Sequence, residues 1–147
     1  MPKSIISIQE DLSEVSEALE VKLLASLADE LPQSTNASIT LSARDYQGEL
    51  IGGLVGSTSY SWFLVKVVWV AEAFRCQGVG KSLMQEAENK ALELDCHSLW
   101  LDTSSPKAMQ FYAALGYEVF GALENKEDQQ PPTHRRWFMR KAINLNP

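Results

Sequence analysis

The strongest constraint on this chain is a junction. Trp62 to Val70 reads WFLVKVVWV, a run of β-branched and aromatic side chains that suits a strand. A short link then leads through Arg75-Cys-Gln-Gly-Val-Gly-Lys-Ser82 into helical periodicity. From Gly78 onward Val79, Leu83, Ala87, Ala91 and Leu94 share one face, Lys81, Gln85, Glu88 and Asn89 take the other, and Glu86 stands four residues before Lys90, where it can pair with it. A strand therefore ends, two glycines follow one residue apart, and an amphipathic helix begins. Backbone free of side chains lets several N–H groups converge on an anion at the positive end of that helix. Such a site suits a pyrophosphate.

Other readings of the same residues fit less well. A nucleotide P-loop needs glycine at position 75, where the chain has Arg75, and a dinucleotide fingerprint needs its third glycine at Leu83. Two glycines also begin ordinary helices, which is the purely structural alternative. Arg75 and Lys81 either add charge at the rim of an anion site or are the cations of a solvated helix start.

The remaining segments alternate strand and helix. Ser4 to Ile8 is a short β-branched run, and Glu10 to Leu31 carries Leu12, Val15, Leu19, Leu23 and Leu27 at helical spacing, ended by Leu31-Pro32. Gln33 to Ala37 reads as a loop, Ser38 to Arg44 as a strand, Asp45 to Gly48 as a turn and Glu49 to Ser57 as the returning strand. After a turn at Ser59 to Ser61, Trp62 to Val70 joins the antiparallel run, interrupted at Lys66 and otherwise apolar enough to be covered on both faces. His97 to Asp102 follows a helix, so it should lie parallel to Trp62 to Val70. Ser105 can cap the next helix, Pro106 fits its first position, and Gly116 fits its left-handed end. Tyr117 to Phe120 is a strand, Glu124 to Pro132 a polar loop, and Trp137 to Ile143 the last strand. No linker or repeat divides residues 1–147, so one α/β domain is expected, with a mixed, mostly antiparallel sheet flanked by helices.

Composition narrows the function classes. Thirteen Lys+Arg against 19 Asp+Glu give a net charge of −6, which offers no global field for nucleic acid. The first residues lack a signal-peptide core, and the most apolar stretch, Trp62 to Ala71, is far below the roughly 20 residues that span a bilayer. Cys76 and Cys96 stand at neither metal-ligand nor redox-motif spacing, so no metal site or disulfide framework is expected and a cytoplasmic location fits.

Strand, R-x-x-G-x-G, amphipathic helix, strand and then SSPKAMQFYAALGY (Ser104 to Tyr117) together resemble the GNAT superfamily of acetyl-CoA-dependent N-acetyltransferases, over about Leu50 to Lys141. The resemblance implies that Gln77, Gly78, Val79, Gly80 and Lys81 present amides to the pyrophosphate of coenzyme A, with Arg75 leading the motif. It also implies a bulged strand that splays from its parallel neighbour, with the backbone of Val68 and Val70 holding the pantetheine arm and thioester. Tyr112 would be the general acid beside the coenzyme sulfur. A phenol with a pKa of about 10 is protonated where a departing thiolate, pKa about 8.5, needs a donor. The purely structural reading packs Tyr112 with Phe111 and Leu115.

Two departures from the family pattern bear on the site. Many members have Asn where this chain has Ser105, so a cofactor contact there competes with the capping role. The glutamate base of histone acetyltransferases falls at Leu64, which cannot accept a proton. Glu72 at the strand end and His134 in PPTHRRWFMRK are the base candidates, the second because imidazole titrates near neutrality. Cys76 has no visible base partner for an acetyl-cysteine route, so direct transfer to the amine is expected. Gly52, Gly53, Tyr60, Trp62 and Glu124 to His134 are acceptor-side candidates by location alone. The expected activity is acetyl transfer from acetyl-CoA to a primary amine of a small molecule. A protein or peptide amine is the alternative, and so is a non-catalytic acetyl-CoA-binding domain; a homodimer is left open.

Overall fold

A computed structural model describes residues 5–31 and 36–143. The chain divides into two compact units, 1–33 and 34–147. In the first, helix α1 spans Val15–Glu30, five residues later than the periodicity suggests. The Asp11 carboxylate takes the Leu12 N–H at 2.7 Å, and Val15 and Ser16 N–H bond three residues back, to Leu12 and Ser13, so this segment is a turn leading into the helix. The helix stops where Leu31 turns extended, with its N–H on the Leu27 carbonyl. The strand expected over Ser4 to Ile8 does not form at residues 5–8, which pair with no other strand; a run that short needs a partner. Ser4, Pro32 and the loop residues 33–35 lie outside the described residues.

The second unit holds the sheet. Its strands are β1 Ser38–Arg44, β2 Leu50–Ser59, β3 Trp62–Val70, β4 Ser98–Thr103, β5 Glu118–Glu124 and β6 Arg135–Ala142, ordered β1-β2-β3-β4-β6-β5. Among the described residues only β3 and β4 pair in parallel, joined by the crossover helix α2, Val79–Glu93; β4 and β5 also run the same way, but β6 lies between them. Helix α3, Pro106–Ala114, then links β4 to β5. Tyr60 and Ser61 both adopt positive φ, the mirror-image turn that suits the β2–β3 hairpin.

The amphipathic stripe of α2 buries Leu83, Met84, Ala87 and Ala91 in one core with Leu54, Phe63, Val65, Leu99, Leu101 and Met139 from the sheet. Each such large side chain contributes about 1.5–3 kcal/mol by leaving water. On the other side of α2 the expected Glu86–Lys90 pair is not made; Lys90 meets Glu93 at 3.3 Å, and Asn89 takes Glu86. Nor is β3 covered on both faces: Val67 is 52% and Trp69 47% exposed. Their half of the strand lies beyond the last residue that pairs with β4.

Candidate active site

The opening in the sheet comes from one extra residue. Gly56 pairs with Val65 and Val55 with Val67, so Lys66 bulges out of the β2–β3 ladder. A bulge bends its strand and sharpens the twist. Pairing between β3 and β4 stops just before it, at Leu64 opposite Trp100. Beyond that point lies a cleft of about 340 Å³ lined by Val65, Lys66, Val67, Val68, Leu101, Asp102, Thr103, Ala108 and Tyr112. Ladder parity then sets what β3 offers to it. Ala71 N–H bonds Ile51 C=O at 2.7 Å, so Trp69 and Val67 also point their backbone groups at β2. Val68 and Val70 turn theirs toward the side β4 has left.

The glycine loop follows the strand end. A 3-10 turn, Glu72–Phe74, leads to Arg75; Cys76 has φ of 62° and Gly78 φ of 83°, and Gly78 is the N-cap of α2. The first intrahelical bond is Ser82 N–H to Gly78 C=O at 3.0 Å, so the Val79, Gly80 and Lys81 amides have no acceptor within the helix. No side chain caps this end, and no acid stands in its first turn. The two glycines serve different needs. Gly78 supplies the left-handed backbone; at Gly80 an added Cβ would lie 3.2 Å from Phe111 Cζ, so its bareness lets α3 approach. Arg75 Nε donates to the Val70 carbonyl at 3.0 Å, fastening the loop to β3, and Gln77 Nε2 donates to Ala73 C=O at 3.1 Å.

Tyr112 reaches the cleft from α3. It is 9% exposed, its ring edge-on to Phe111 and Tyr117 at 5.2 and 6.0 Å, so it packs in the core while lining the cleft. Among the described residues its hydroxyl has no hydrogen-bond partner, and burial pushes its pKa above the usual phenol value. Tyr117 sits deeper, its hydroxyl sealed and, among the described residues, unpartnered. Its pKa is pushed up further, first by burial, then by Glu88 and Tyr112. Glu88 is held by Lys141 at 2.7 Å, and the Lys141 ammonium lies 5.7 Å from the Tyr117 ring centre.

The two base candidates separate. Glu72 is exposed in the 3-10 turn and lines no part of the cleft. His134 is half-buried, and its Nε2 lies 2.9 Å from Ser104 Oγ, one residue past cleft-lining Thr103. Ser105 Oγ accepts the Ala108 N–H at 3.2 Å, so its capping role is real. Gly52 and Gly53 are close-approach positions in the sheet: an added Cβ would lie 3.0 Å from Trp69 O and 2.9 Å from Leu41 O. Trp62 packs edge-on to His97 at 5.1 Å. Of the cleft-lining residues, sequence reasoning named only Val68 and Tyr112 for the site, and missed the polar ones, Lys66, Asp102 and Thr103. Lys66 was legible as a charge inside an apolar strand; Asp102, paired with Arg136 at 3.0 Å, carried no such signal.

A sheet splayed along one parallel pair, leading at its open end into a bare helix N-terminus, defines an acyltransferase architecture. The acetyltransferase (GNAT) family matches residues 6–117, and the chain belongs to that family. An acetyltransferase of Agrobacterium fabrum, Atu2258, is 30% identical over 111 residues, 76% of this chain and 81% of that protein. The blasticidin-S acetyltransferase of Streptomyces morookaense is 35% identical over 78 residues, covering 52% and 57%. Among solved structures, an acetyltransferase from Bacillus cereus has a TM-score of 0.81 at 24% identity, covering 94% and 98%. A GNAT family acetyltransferase from Elizabethkingia anophelis with acetyl-CoA bound has a TM-score of 0.58 at 22%, covering 67% and 72%. The protein is thus an acyltransferase of GNAT type. No helix of the described residues is long and apolar enough to cross a membrane.

Proposed function

We propose that this chain, acting as one domain over residues 1–147 in the cytoplasm, moves acetyl from acetyl-CoA directly to the primary amine of a small molecule. The observation that carries the reading is the cleft between β3 and β4, with Tyr112 on its wall and the open amides of α2 following the same strand. The residues present fit acetyl-CoA. Backbone groups of Val68 and Val70 would hold the pantetheine arm, although the Val70 carbonyl is already used by Arg75. The amides at Gln77 to Lys81 would receive the pyrophosphate, with Lys81 and the outer nitrogens of Arg75 adding charge. Ser105, capping α3, keeps its hydroxyl proton to donate.

Acetyl-CoA supplies the acetyl group already activated as a thioester. Tyr112, kept protonated by burial, donates a hydrogen bond to the sulfur as the thiolate forms. His134, rather than Glu72, takes up the amine's proton, because it alone of the two is tied to the end of β4 beside the cleft. One relative is named for blasticidin S, which supports a small-molecule acceptor.

The test is thiol release from acetyl-CoA across polyamines, aminoglycosides, amino acids, blasticidin S and short peptides, with acetyl-CoA binding measured on the same preparation. Release with one class of small amine is expected. Release with peptides alone would overturn the small-molecule reading, and no acetyl-CoA binding would overturn the cradle at Gln77 to Lys81.

A further inference from the structure

Three consecutive residues at the end of β4 carry hydroxyls, Thr103, Ser104 and Ser105, and two are already engaged. Thr103 Oγ1 accepts the Ser105 N–H at 3.2 Å, and Ser105 Oγ accepts the Ala108 N–H at 3.2 Å; both bonds serve the start of α3. Ser104 instead turns to His134, 30 residues on, with Oγ 2.9 Å from Nε2. Strand register explains the meeting: Thr103 lies opposite Trp137, so the residue after β4 and the residue before β6 are diagonal neighbours.

The histidine is well braced. Asn125 N–H bonds the His134 carbonyl at 2.7 Å, the Asn125 amide bonds Pro131 C=O at 3.1 Å, and Thr133 N–H bonds Lys126 C=O at 3.3 Å. Charges on the flanking elements are paired: Arg135 with Glu124 across β5 and β6, and Arg136 with Asp102 across β4 and β6. Lys126 is the further cation of the same loop. A hydroxyl and an imidazole thus stand at the spacing used for proton transfer, open to solvent, with Ser104 one residue past cleft-lining Thr103.

We propose that Ser104 is a catalytic residue that relays the acceptor's proton to His134. The inference rests on His134 being the base. An N–H bond of the acceptor breaks as its proton passes to Ser104 Oγ, the original Ser104 O–H breaks, and an N–H bond forms at His134 Nε2. The amine is left neutral for attack and the imidazole becomes imidazolium; no electrons leave the system. The step requires Nε2 to be unprotonated beforehand, so the resting tautomer carries its proton on Nδ1.

That requirement is testable without knowing the acceptor. Nitrogen-15 NMR of the imidazoles, with His134 assigned by its loss in His134→Gln, is expected to show the Nδ1–H tautomer, shifting toward Nε2–H in Ser104→Ala. A resting Nε2–H tautomer would overturn the relay. In parallel, kcat against pH is followed by thiol release with the most active small amine of the panel. Ser104→Ala should lower kcat roughly tenfold or more and lose the acid limb, as His134→Gln does. Ser104→Thr should restore both, with KM for acetyl-CoA unchanged throughout. If Ser104→Ala lowers only the melting temperature, the contact is a structural clasp and the relay is wrong. If His134→Gln abolishes the limb and Ser104→Ala keeps it, the base reading stands and the relay alone falls. If His134→Gln changes neither kcat nor its pH profile, both fall.

Discussion

Replacing Tyr112 by Phe isolates one atom. The ring is 9% exposed and packs against Phe111 and Tyr117, and the hydroxyl has no partner among the described residues. Phe keeps the ring and its contacts, so the fold should lose less than about 1 kcal/mol. Catalysis should respond very differently. A positioned proton donor is worth roughly 10²- to 10⁴-fold, which converts to about 2.7–5.5 kcal/mol of barrier. Because the contacts proposed for the cofactor are backbone groups, KM for acetyl-CoA should stay within about twofold while kcat falls at least about a hundredfold. The pH profile adds a sign. The useful form of Tyr112 is protonated, and burial moves its deprotonation above the ordinary value of about 10, so wild-type kcat declines only in strong alkali. The Phe variant should lack that limb. Steady-state thiol release over pH, beside thermal melting, measures both. A Phe variant within about threefold of wild-type kcat would leave Tyr112 as core packing and refute the assignment.

Further outcomes follow from neighbouring features. Lys81→Glu puts an acid in the first turn of α2, where none stands now; it should raise stability by about 0.3–1 kcal/mol in a melt while weakening acetyl-CoA binding by calorimetry, opposite signs from one charge. Gly56→Ala would set a Cβ 2.6 Å from Phe63 Cζ and 2.9 Å from Leu64 O in the core, and should cost about 1–3 kcal/mol or more in urea unfolding. Cys96, Tyr112 and Tyr117 all have pKa values raised mainly by burial, so the folded state binds their protons more tightly than the unfolded chain. Their stabilisation is complete below the unfolded values of about 8.5 and 10, and is lost as pH rises through the higher folded ones. Melting temperature should therefore fall progressively above pH about 9. Tyr117→Phe should flatten the fall, and an unchanged slope would reject the linkage.

The sequence by itself determined much of this protein, wherever the information is local. Periodicity placed β1 and β3 to the residue, Ser105 and Pro106 fixed the start of α3, Gly116 marked its left-handed end, and Gly78 marked the entry to α2, because caps, turns and amphipathic faces are decided by neighbours a few residues apart. The glycine loop before α2 was legible for the same reason: its conformation is decided at one helix end. Residues 5–8 show the limit, since a β-branched run becomes a strand only if another edge receives it. Only the tertiary structure decided where the sheet opens. The Lys66 bulge exists as a mismatch between two strands, and the cleft exists because pairing to β4 fails beyond Leu64. It also brought His134 to Ser104 across 30 residues of sequence and sealed Tyr117 behind Tyr112. Those relations depend on register between distant segments, which no local window of sequence contains.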